Sequence, residues 1–195
     1  MKYLFVLLIV LLNPSATAQE LIVIGTLQDG GSPHMNCKKD CCAQPKENDF
    51  VASIAVCDSS LSLVIDATPD FVEQTNYLRE QFGHNNMAIF LTHAHVGHYS
   101  GLIHLGREAA NTHKVPVYAM NRMFKFLFNN GPWDQLIRLE NIELRSLQES
   151  LPVTLENGIV MTPVLVPHRD EYSETVGYYI KGQNKTALYI PDIHK

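Results

Sequence analysis

Thr92-His93-Ala94-His95-Val96-Gly97-His98 decides how the rest of this chain is read. Three imidazoles fall within six residues, directly after the apolar run Met87-Ala88-Ile89-Phe90-Leu91. That run reads as a short buried strand. His93 and His95 are two apart, so an extended backbone projects them to one side. Gly97 lets the chain turn before His98. Neutral imidazole is the commonest protein ligand for zinc-like metals, so the stretch predicts a metal site at the carboxyl end of a strand.

Working outward, Val164-Leu165-Val166-Pro167-His168 repeats the pattern, an apolar strand ending in a histidine. Ala187-Leu188-Tyr189-Ile190-Pro191-Asp192 repeats it with a carboxylate. A proline ahead of each ligand suits a chain leaving a sheet. Together these segments predict one cation held by His93, His95 and His168, with Asp192 bridging and His98 reaching a second cation. Asp66, after the strand-like Leu61-Ser62-Leu63-Val64-Ile65, is expected to hydrogen-bond and order the histidine loop. His104 and His113 lie off the motif and read as surface or capping residues.

The remaining elements follow from local signals. Leu21–Ile24 and Ser53–Val56 read as strands, the second forming a hairpin with Leu61–Ile65. Thr68-Pro69-Asp70 predicts a helix start with Thr68 as N-cap, and Gly83 its stop after Phe82. His98 is expected to open a helix bearing Leu102, Leu105 and Ala109. Val115–Ala119 reads as a strand and Arg122–Phe128 as a helix broken at Gly131-Pro132-Trp133. Strands are expected over 142–144, 153–155, 162–166, 176–180 and 187–190. Gly30-Gly31 suggests close approach to a ligand, but no helix with Lys-Ser/Thr follows, which excludes a P-loop.

Composition bounds the function. The 195 residues suffice for one domain with a core, and 46% hydrophobic against 18% charged residues indicates a globular protein. A net charge of -5 with no Lys/Arg-rich face argues against a nucleic-acid partner. Lys2, the apolar run from Tyr3 to Leu12 and Ala16-Thr17-Ala18 read as a signal peptide over residues 1–18. The mature domain is then 19–195, periplasmic or secreted, with no membrane span after signal removal. In such an oxidising compartment, His34, Cys37, Cys41 and Cys42 form either a structural Cys3His zinc site or a disulfide, for instance Cys37 with Cys41 or Cys57.

The histidine motif, His168 and Asp192 resemble the metallo-β-lactamase superfamily. Gly25-Thr26 with Gly30-Gly31-Ser32-Pro33, the cysteines and Asp66-Ala67-Thr68-Pro69-Asp70 resemble its branch of PQQ-biosynthesis protein B and relatives. The resemblance implies an α/β fold, an αββα sandwich of two similar halves. The family pattern is His-x-His-x-Asp-His, and Gly97 stands where its second-site aspartate belongs, so a mononuclear centre is expected, with His194 as a candidate replacement. The chain also closes at Asp192-Ile193-His194-Lys195, where family members continue to a last histidine ligand, so a C-terminally incomplete second half is expected.

What the resemblance implies chemically is a metal-dependent hydrolase, and the signal peptide makes it an exported one. Zinc (one or two ions, with iron or manganese as substitutes) would activate water against an ester, phosphodiester or related small-molecule substrate. Asp192 and His98 are the candidate catalytic residues. Arg169, Glu171 and Tyr172, close behind His168, are candidates for substrate contact as well as for ordinary surface roles. The alternatives are a cofactor-maturation protein or iron-dependent oxygenase, and a non-catalytic metal-binding protein.

Overall fold

Ile54, Ala55, Val56 and Cys57 are all buried, as are Leu63, Val64 and Ile65. Because side chains alternate along a strand, runs apolar at every position need cover on both faces. The computed structural model, which describes residues 18–43 and 49–194, supplies both covers. Almost all of the expected signal peptide, residues 1–18, lies outside the described residues.

Six strands form the first sheet in chain order: β1 (Glu20–Gly25), β2 (Ser53–Cys57), β3 (Ser62–Ile65), β4 (Met87–Phe90), β5 (Val115–Met120) and β6 (Ile142–Leu147). The β1–β2 and β2–β3 pairs are antiparallel, and β3 to β6 run parallel. A second, antiparallel sheet has the order β10 (Thr186–Tyr189), β9 (Val176–Lys181), β8 (Val160–Leu165), β7 (Val153–Thr154). One face of the first sheet, with Ala55, Val64, Ile89 and Val117, packs on α2 (Phe71–Phe82), α4 (Asn121–Asn129) and α5 (Trp133–Arg138) through Phe71, Leu78, Met123, Leu127 and Leu136. The other, with Ile54, Leu63, Ile65 and Phe90, meets Met161, Val176, Tyr178 and Ile180 of the second sheet. The layers are thus helix, sheet, sheet, the α/β class expected. Among the described residues no helix follows α5, and Tyr179 and Leu188, paired across β9 and β10, are exposed.

The two sheets are joined where the histidine motif begins. Tyr178 Oη donates to the Leu91 carbonyl at 2.6 Å, and the Val176 N–H donates to the Thr92 carbonyl at 3.1 Å. At the opposite edge Gln19 donates to the Asn157 carbonyl and accepts from the Gln183 N–H, each at 2.9 Å.

Three local expectations are corrected. Helix α2 starts at Phe71 with Asp70, not Thr68, in the N-cap position. Thr68 is buried, and its hydroxyl donates to Gln74 Oε1 at 2.7 Å while accepting the Asp70 N–H at 3.1 Å. No long helix leaves His98: a single turn, α3 (Val96–Tyr99), passes into a 3-10 helix over Ser100–Leu105. The His98 carbonyl accepts from Ala67 N–H and Gly101 N–H donates to the Ala67 carbonyl, so this backbone bonds to the exit of β3 instead. Of the two readings of the cysteines the structure shows the disulfide, between Cys37 and Cys42, whose Cα lies 6.0 Å away across the turn into α1 (Asp40–Ala43). That pairing also replaces the suggested partners Cys41 (its side chain is not described) and Cys57, while His34 is exposed. Cys57 is free in the core, where burial pushes its thiol up to about 11.

Candidate metal centre

Chain exits at one end of the two sheets bring the ligating side chains together, in keeping with ligand sites outside the carboxyl ends of parallel strands. β3 delivers Asp66, β4 the histidine motif, β8 leads to His168 and β10 to Asp192. Asp66 is fully buried with φ +71°, a left-handed conformation that Asp tolerates better than most residues. Its Oδ1 accepts from Thr92 N–H at 2.8 Å, its two oxygens share Thr92 Oγ1 at 3.0 and 2.9 Å, and Oδ2 accepts from His98 Nδ1 at 2.7 Å.

These bonds assign the imidazole tautomers. Thr92 Oγ1 donates to Asp66 and so accepts from His93 Nδ1–H at 3.0 Å, leaving His93 Nε2 a lone pair. His95 Nε2 donates to Glu171 Oε2 at 3.0 Å, leaving Nδ1 free. His93 Nε2 and His95 Nδ1 then face each other at 2.8 Å, and His168 Nε2 lies 3.2 Å from His95 Nδ1. Asp192 Oδ2 sits 3.4 Å from His93 Nε2 and 3.6 Å from His168 Nε2. Converging lone pairs repel unless a proton or cation lies between them. Two donors each ~2.1 Å from a tetrahedral zinc would be about 3.4 Å apart, so the donor set fits such an ion.

A second group shares Asp192. Its Oδ2 is 3.4 Å from His98 Nε2, which also faces Asp29 Oδ1 at 3.2 Å, and the three donor atoms lie within 4.8 Å of one another. Burial opposes charge on His98, but Asp66, Asp192 and Asp29 outweigh it and push the imidazole up to about 12. Burial, then the neighbouring His98 and His95, hold His93 down at about 3. Hydrogen bonding to His98 holds Asp192 at about 2, so its carboxylate is ionised across the neutral range. The same His98 bond keeps Asp29 below the usual carboxylate range.

The structure therefore brings His93, His95, His168 and Asp192 into one cluster, with His98 beside it. His194 is elsewhere: its ring packs on His168 at 4.5 Å and its N–H donates to the Pro167 carbonyl. Glu171 contacts His95, Arg169 Nη1 lies 3.7 Å from Glu171, and Tyr172 is largely exposed against Phe126. His104 lines a cleft beside α2 with His84, and His113 is exposed. Sequence reasoning missed Asp29; its only flag there was the adjoining Gly30-Gly31 pair.

The Beta-lactamase superfamily domain matches residues 62–195, more than half of the chain. The chain belongs to the metallo-β-lactamase superfamily. Within it the branch is PqqB-like. Coenzyme PQQ synthesis protein B of Methylorubrum extorquens is 26% identical over 196 residues, and that of Xanthomonas oryzae pv. oryzae 27% over 198, each match covering 88% of this chain. The chain spans 64% of the length of those curated relatives. A crystal structure of Zn2+-bound PqqB from Methylobacterium extorquens shares its fold with a TM-score of 0.74 at 23% identity, covering 90% of this chain and 66% of that one. A diphosphatase of the PhnP family superposes with a TM-score of 0.63 at 26% identity, covering 83% of this chain and 61% of that one.

Proposed function

We propose that this chain carries the metal centre of an exported metal-dependent hydrolase acting on an ester, phosphodiester or related small molecule. One observation carries the reading: three imidazole nitrogens and one carboxylate oxygen, from three chain segments, lie within 4.8 Å of one another. The diphosphatase likeness supports hydrolysis, and zinc in the PqqB structure supports zinc over iron or manganese. A divalent cation bound there lowers the pKa of a coordinated water to about 7 and polarises the attacked centre.

The chain's own groups do the rest. Glu171 and Thr92 fix the tautomers of His95 and His93 so that their lone pairs point inward. Asp192 remains anionic at neutral pH, which suits it to orienting a water and balancing charge more than to taking a proton from it. His93 and His98 are buried, whereas His95, His168 and Asp192 are partly exposed, so substrate approaches from the side of the latter three. The apolar run before Ala18 supports export.

Elemental analysis of the wild-type chain beside His93→Ala tests this, together with assays on esters, phosphodiesters, lactones and lactams. The variant should lose its cation and all turnover; unchanged metal content, or bound metal without turnover on any substrate, refutes the hydrolase. The PQQ-synthesis relatives favour a second reading, a cofactor-maturation protein or iron-dependent oxygenase, which oxygen consumption by the iron-loaded chain would reveal.

A further inference from the structure

Gly97 is the residue that the histidine motif leaves without a side chain, and the space beside it is filled. A Cβ built on Gly97 would come 2.4 Å from Asp29 Cγ and 2.7 Å from Asp29 Oδ1. Real Cβ atoms do not tolerate such approaches, so a side chain at 97 and the Asp29 carboxylate cannot both keep these positions. Asp29 stands where a residue-97 carboxylate would begin, and its Oδ1 points at His98 Nε2.

We propose that Asp29 supplies, from the loop after β1, the acid that the motif lacks, and that Asp29, His98 and Asp192 hold a second divalent cation. The proposal rests on the first cation site argued above. Two carboxylates and one imidazole suit zinc, manganese or iron(II). Asp66 holds the proton of His98 on Nδ1, which presents Nε2 to the same point as both carboxylates.

The loop is built to hold Asp29 there. Thr26 and Leu27 donate their N–H groups to the Phe50 carbonyl, and Ala52 N–H donates to Leu27, which anchors the base of the loop. Gly31, at φ +67°, closes a turn around Asp29 through its N–H to the Gln28 carbonyl at 2.8 Å. The His34 ring lies over Gly30, where a Cβ would come 2.2 Å from its Cδ2. A ligand at position 97 would ride on the same helical turn as His98. Asp29 depends instead on a segment far along the chain, so filling of the second site is tied to the order of this loop.

The test is metal stoichiometry and affinity, read by calorimetric zinc titration and by elemental analysis after dialysis, with Tm and circular dichroism of the metal-free chains as folding controls. Wild type should take up two equivalents. Asp29→Asn and Asp29→Ala should keep the first and weaken the second by about 100-fold or more, since loss of mere supporting contacts already costs 10–100-fold. Asp29→Gly combined with Gly97→Asp should regain two equivalents, whereas Gly97→Asp alone, which collides with Asp29, should not. Second-site affinity unchanged in Asp29→Asn, or a wild type taking up a single equivalent, overturns the proposal while leaving the first site standing. A wild type that takes up no cation overturns both.

Discussion

Asp66→Asn isolates the carboxylate that organises the motif. Asn keeps the shape and tolerates φ +71°, so backbone strain is not added as it would be with Ala. The amide oxygen can still take the Thr92 N–H, but the amide nitrogen then replaces Oδ2, which lies 2.7 Å from His98 Nδ1. Donor meets donor unless His98 gives up its Nδ1 proton and keeps only the one on Nε2, the atom that faces Asp29 and Asp192. A hydrogen bond to a charged group contributes ~1.5–3 kcal/mol and a neutral one roughly 1 kcal/mol. Losing the His98 bond and weakening those to Thr92 should therefore cost about 2–4 kcal/mol, partly offset because a buried charge no longer has to be desolvated. With a urea m-value of ~2 kcal/mol/M, the unfolding midpoint of the metal-free chain should fall by about 1–2 M. Imidazole 15N shifts should report His98 changing from the doubly protonated ring to the neutral Nε2–H form. A midpoint within about 0.2 M of wild type, with His98 keeping its Nδ1 proton, would refute the reasoning.

Two further perturbations address other contacts. Glu171→Ala removes the acceptor of His95 Nε2–H and should weaken the first cation roughly 10-fold in a zinc titration, with little change in Tm because Glu171 is exposed; undiminished affinity would mean that His95 is oriented by something else. Asp58, buried, desolvated and yet held below the usual carboxylate range by Ser60, Asn157 and Leu61, makes a pH-dependent contribution. Its folded pKa lies below its unfolded value of ~3.9. That stability is fully present above the unfolded value and lost as pH falls through the folded one. Asp58→Asn should unfold at lower urea than wild type at pH 7, and the gap should narrow on acidification below pH 4; a constant gap would show that the carboxylate's charge is not what stabilises.

Strand positions were legible because burial on both faces leaves no ambiguity in runs such as Leu63-Val64-Ile65 and Ala88-Ile89-Phe90. Helix boundaries were not, where tertiary bonds outbid local ones. Thr68 has the residue type of an N-cap, yet Gln74 sits within reach of its hydroxyl once α2 has packed against β1 and β2, and Gln74 itself donates to the Ile24 and Val51 carbonyls. Residues after His98 carry helical periodicity, but Ala67 is placed to bond with His98 and Gly101. Helix α5 was hidden behind Gly131-Pro132, which reads as a break; here Pro132 occupies the position just before the helix, where a missing N–H costs nothing.

The centre divides along the same line. His93, His95, His168 and Asp192 each close an apolar run, and a strand's end is a point in space that the sheet fixes, so one-dimensional pattern and three-dimensional convergence coincide. Asp29 closes no strand. It lies four residues past β1, in a loop whose course is set by a glycine turn and by backbone bonds to residues 50–52, and nothing in its neighbourhood marks it as facing His98. What the sequence did show was the complementary absence, a glycine where the motif's acid belongs. A missing side chain in a buried position must be compensated, because cores close to native density leave few voids, and Gly97 is buried. The productive question about such a gap is which atoms from elsewhere occupy the volume, and here they belong to a carboxylate aimed at the same imidazole.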